Sequence, residues 1–168
     1  MSLIYLQPYK LSGPGPVSGR SFRLVSLGAT QGGVIGVFEF ELYNSSGQNL
    51  CRTAGFVPTI TPSANSVAFP EYGPERTIDG QYSPNGSWTG TGYMNARADG
   101  SSFFEYTFPQ DISPISWRMM PEGAWLPTNN GIKLQALKND VWVDITGTSN
   151  AGAWSNNVWR SFTIPALV

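Results

Sequence analysis

No histidine occurs anywhere in this chain, and Cys51 is its single cysteine. With neither a second thiol nor an imidazole, no intrachain disulfide, zinc finger or Cys/His metal cluster can form. Ser-His-Asp and Cys-His catalysis are excluded for the same reason. Charge is scarce as well: charged residues are 12% of the chain, about half the usual share. The net charge is −1, with no cluster of Lys and Arg. That argues against a nucleic acid partner, which needs a basic groove or stripe. No run of roughly twenty apolar residues is present, so membrane insertion is not expected. The start, MSLIYLQPYK, lacks a charged region followed by a long apolar stretch, and a conventional signal peptide is not expected either. A lone cysteine usually behaves as a small interior hydrophobe, so Cys51 is expected to be buried.

What the chain does have is 13% aromatic residues, 19 Gly and 13 Pro, the composition of many short strands joined by turns. Its 168 residues suit one domain whose core needs no disulfide staples. Residues 1–20 read as an N-terminal arm or linker: 3–6 form an arm or edge strand, and Gly13-Pro14-Gly15-Pro16 can be neither helix nor central strand. Such an arm either frays or docks on a neighbouring subunit. Residues 21–168 form the domain.

Within the domain the apolar pattern has period two. SFRLVSLGA (21–29) places Phe22 and Leu24 opposite Arg23 and Val25, and in VIGVFEFELYN (34–44) Phe38, Phe40 and Leu42 alternate with Glu39, Glu41 and Tyr43. The same alternation marks FFEYTF (103–108), ISWRMM (115–120), IKLQAL (132–137), VWVDI (141–145) and VWRSFTI (158–164), each the pattern of a strand with one face on a core. Trp117, Trp142 and Trp159 sit in these patterns, and they and Trp88 are expected to be core residues. Between the strands, 51–74 is broken by Pro58, Pro62, Pro70 and Pro74, while 89–102 and 121–131 are loops rich in glycine or in polar and aromatic residues. No window has a convincing helical period, and an all-β, two-sheet architecture follows.

ERTIDGQYSPNGSW (75–88) combines a β-branched approach, a carboxylate on the Asp79-Gly80 turn and a closing tryptophan. Read alone it is a turn with a candidate cation site. Five motifs, in this order, then carry a resemblance: the FRLVSLGATQGGVIGVFEFELYN pair, ERTIDGQ followed by SW, FFEYTF, ISWRMMPEG through LPTNNGIKLQALKNDVWVDI, and WSNNVWRSFTI. Together they resemble the discoidin, or coagulation-factor type C, family across about 22–164. The resemblance implies a jelly-roll β-sandwich of the galactose-binding type.

It further implies a structural calcium at the Asp-Gly turn. Asp79 would supply a carboxylate, Arg76 and Gln81 backbone carbonyls, Ser87 a hydroxyl, and Glu39 a second carboxylate, toward the six to eight oxygens that calcium takes. The simpler alternative is an Asx-type turn in which Asp79 accepts backbone N–H bonds. Ligands in that family bind loops at one end of the sandwich. By that resemblance a glycan would meet Tyr72, Tyr93, Arg97, Glu122, Trp125, Asn129 and Asn130, with Trp125 and Tyr93 as stacking platforms and the polar side chains on the hydroxyls. The competing reading folds these aromatics inward to cap the loop bases. Catalysis is not expected, because Glu71, Glu75, Asp79, Asp99 and Glu122 are scattered and the resemblance is to non-catalytic modules. The implied function is a non-enzymatic recognition or structural component of a bacteriophage virion, in a tail fibre, a baseplate or a capsid decoration. Its expected partners are a host-surface glycan and other virion proteins, as a homo-oligomer or attached to a larger assembly. The alternatives are a purely structural assembly protein and a secreted or cell-surface carbohydrate-binding module.

Overall fold

The computed structural model describes residues 16–30, 32–81, 90–123, 125–128, 131–145 and 154–166. Nine strands order along it: β1 (Gly19–Ser26), β2 (Val34–Tyr43), β3 (Thr59–Pro62), β4 (Gly92–Asn95), β5 (Ser102–Ile112), β6 (Ser116–Pro121), β7 (Ile132–Lys138), β8 (Val141–Asp144) and β9 (Arg160–Thr163). A 3-10 turn, Pro74–Thr77, precedes the Asp79-Gly80 turn. The strands form two antiparallel sheets packed as a sandwich, one ordered β3-β5-β1-β7-β8 and the other β4-β2-β6-β9.

Alternation places one set of side chains between the sheets. Phe22 and Leu24 of β1, Phe104, Tyr106 and Phe108 of β5, and Leu134 and Ala136 of β7 meet Phe40 and Leu42 of β2 and Trp117 and Met119 of β6. Phe40 and Tyr106 approach with ring centroids 4.6 Å apart, and Trp117 stacks on Phe162 of β9 at 4.3 Å. Cys51 is buried in the same core. The Tyr106 hydroxyl shares a 2.9 Å bond with Thr77 Oγ1, which also donates to the Pro74 carbonyl. A buried phenol is thereby satisfied while the 3-10 turn is pinned to β5.

Four expectations need correction. Two strands lie in stretches read as irregular: β3 is an edge strand ending at Pro62, where a proline is tolerated, and β4 pairs its four residues with Val34–Val37 of β2. β2 is not half-buried, because every residue but Tyr43 is inaccessible. A register shift between Val37 and Glu39 interrupts its alternation, and Arg52 and Arg118 close over its second face. Ile115, the first residue of the ISWRMM stretch (115–120) read as a strand, is exposed and precedes β6. Trp142 and Trp159 are half-buried on the outer faces of the sheets instead of in the core. The Arg23 guanidinium lies 4.3 Å over the Trp142 ring and 4.6 Å over Phe103, and that of Arg118 lies 4.0 Å over Trp159. Cation–π contact keeps each ring at a wet surface. Trp88 lies outside the described residues.

Candidate functional site

Strand register brings four connections to one end of the sandwich. Ser26 of β1 is opposite both Ser102 and Ile132, Val34 is opposite Asn95, Val37 is opposite Pro121, and Pro62 is opposite Phe104. Residues 27–33, 63–73, 96–101 and 122–131 therefore leave from the same edge. Backbone bonds tie them together: Leu27 N–H donates to the Gly131 carbonyl at 2.6 Å, Thr30 to Leu126 at 2.9 Å, Gly36 to Trp125 at 2.8 Å and Ala96 to Gly33 at 2.7 Å. Loops bound in this way present side chains from a fixed frame, as a recognition site requires.

The expected glycan contacts divide on this frame. Arg97 is exposed and Trp125 half-buried. The Trp125 indole packs against Gly32, whose φ of 62° is the left-handed geometry that glycine adopts without strain. Tyr72 is half-buried, with the Arg76 guanidinium 5.7 Å over its ring. Tyr93 is different. It belongs to β4 and is 0% exposed, its ring edge-on to Phe69 at 5.3 Å and Tyr72 at 5.6 Å. The 63–73 connection covers the outward face of β4, so Tyr93 is no platform for a sugar. Glu122 is also buried, not presented. It sits over Gly36, where an added methyl would meet its Cβ and the Tyr93 ring, and burial raises its carboxyl while the Tyr93 hydroxyl opposes the shift. A glycine inside β2 was the available signal for this close approach. Asn129 and Asn130 lie outside the described residues. Beside Arg97, Asp99 accepts from the Ser101 N–H, and that bond holds its carboxyl below the usual range.

At the Asp-Gly turn, Asp79 Oδ1 accepts the Gln81 N–H at 2.7 Å, the Asx geometry weighed above. Glu39 lies nearby on β2, 1% exposed, with no hydrogen-bond partner at either oxygen. Burial pushes its carboxyl up to about 8; Arg52 acts against the shift, Asp79 and Glu41 add to it, and the approach of the Gly80 backbone relieves a part. Arg76 packs on Tyr72, and the Gln81 carbonyl points at Gly90. Ser87 lies outside the described residues. Among the described residues no three His, Cys, Asp or Glu side chains converge as metal ligands.

Sequence reasoning missed the network on the neighbouring Glu41. That carboxylate is fully buried and paired with Arg52 Nη2 through one oxygen and Arg118 Nε through the other. The Tyr43 hydroxyl donates to it at 2.6 Å, and burial together with that bond pushes the phenol up to about 12. Alternation alone placed Glu41 and Arg118 on matching faces of paired strands; no motif marked Arg52. A second unpredicted constellation crosses the outer face of the other sheet. Arg23 Nε donates to Gln135 at 2.6 Å, Gln135 Nε2 to Asp144 at 2.6 Å, and Lys133 Nζ lies 3.1 Å from the same carboxylate.

Compared with known proteins, the chain matches no family model, no curated protein and no solved structure.

Proposed function

We propose that this chain is a non-enzymatic recognition module that binds a surface glycan through the loop end of its sandwich. The observation that supports the reading is the pairing of a half-exposed indole, Trp125, with an exposed guanidinium, Arg97, on connections cross-bonded to the same strand ends. An indole stacks on the apolar CH face of a sugar, and a planar donor fixes its hydroxyls. A site this open has low affinity alone and gains by parallel display. Such display suits a bacteriophage particle, a setting argued from the sequence resemblance, with attachment to other virion proteins.

Retention of the whole chain on immobilised bacterial surface polysaccharides tests the reading. Trp125→Ala and Arg97→Ala are each expected to weaken binding about tenfold, near 1.4 kcal/mol, and Arg97→Ala to leave the melting temperature unchanged. A second reading, a structural assembly protein, is favoured by the arginine–aromatic stacks on both outer faces, since Trp, Tyr and Arg dominate interface hot spots. If no polysaccharide is retained while Trp125→Ala alters the oligomeric state, the assembly reading replaces the first.

A further inference from the structure

We propose that the Arg52 guanidinium is the resident cation of the Asp79-Gly80 turn, in the role that the family resemblance gives to a calcium ion. Arg52 reaches in from the connection between β2 and β3. Its Nη2 pairs with Glu41, and its Nη1 lies so close over the turn that a methyl group on Gly80 would collide with it. Gly80 has a φ of 79°, so the turn needs glycine for its backbone and the guanidinium needs it for space. Arg52 is also the main positive charge acting on Glu39, which in turn senses Asp79 and Glu41. Arg52 thus pairs with Glu41 while it lies over the turn that follows Asp79, and Arg118 holds the far oxygen of Glu41.

A divalent ion fits poorly here. Calcium takes six to eight oxygens, whereas one oxygen of Asp79 already accepts the Gln81 N–H and no three acidic side chains converge among the described residues. The Arg52 guanidinium beside the ion would repel it, by an amount that grows as water is excluded. A guanidinium instead supplies five directed N–H donors in a planar fork and never loses its charge. It neutralises the cluster without requiring carbonyls turned inward.

The test uses the whole chain. Thermal melting of the wild-type protein is expected to be the same in EDTA and in millimolar calcium, and terbium luminescence to reveal no saturable site. Arg52→Gln is expected to melt lower in both media. Arg52→Lys, which returns the charge without the fork, is expected to recover most of the loss. A calcium-dependent rise in the wild-type melting temperature that Asp79→Asn abolishes overturns the proposal. So does an Arg52→Lys protein that melts no higher than Arg52→Gln. If Arg52→Gln does not fold, the wild-type EDTA and terbium measurements decide the matter alone.

Discussion

Glu39 and Glu41 stand two residues apart on β2, both inaccessible to solvent, in opposite electrostatic circumstances. Glu41 is paired with two guanidiniums and a phenol, and removing any one partner leaves a buried polar group partly unpaired. Glu39 has no side-chain partner at either oxygen, only the approach of the Gly80 backbone, and burial raises its carboxyl from 4.5 to about 8. The folded protein therefore holds a proton on Glu39 that the unfolded chain releases near pH 4.5. Below that pH both states are protonated and Glu39 takes nothing from stability. Between pH 4.5 and 8 stability falls as pH rises, and above about 8 the loss is complete. Glu39→Gln is expected to remove this slope, with the variant gaining on the wild type by a few kcal/mol, roughly, between pH 5 and pH 9. Urea unfolding at the two pH values measures it; equal slopes for the two proteins contradict the assignment. Nothing in the alternation of FEFEL distinguishes these two acids. The difference comes from Arg52, in the connection that follows β2, and Arg118, far along the chain on β6, which close over β2.

At the level of elements, the connections 27–33 and 122–131 act as one unit because Gly131 lets their backbones touch. A methyl group on Gly131 would strike the Gly28 carbonyl and the Thr128 amide, neither of which can rotate away. Gly131→Ala is expected to cost about 1–3 kcal/mol through overpacking. Gly47→Ala meets open space and bears only the penalty of its φ of 77°, on the order of 1 kcal/mol. Denaturant midpoints of the two variants measure the difference, and equal midpoints contradict the steric account. Seven strands were legible in sequence because their alternation runs long enough to be seen. β3 and β4 were not: Thr59–Pro62 ends in a proline, and Gly92–Asn95 is four residues inside a glycine-rich stretch. What makes them strands is an available edge, on β5 and β2 respectively, which only the tertiary fold supplies. The candidate site was legible to the same degree. The loops carrying Trp125 and Arg97 were recognised, but the burial of Tyr93 follows from β4 and had no sequence signal of its own.

At the scale of the molecule, seven strand pairings build the two sheets among the described residues, and only β7 with β8 joins neighbours in sequence. Every other pairing closes a long loop before its contacts form. Folding is therefore expected on the millisecond-to-second scale of non-local β proteins. Stopped-flow refolding followed by tryptophan fluorescence checks this, and a microsecond phase carrying the full amplitude contradicts it. The same topology governs biosynthesis. β1 is the middle strand of its sheet and is made well before its neighbours, β5 and β7. At about 5–20 residues per second, β1 waits roughly 5–20 s after leaving the ribosome before β7 exists. β2 waits in the same way for β6. Until β6 and β7 have emerged, a nascent chain of this protein therefore carries two apolar central strands with an open edge each.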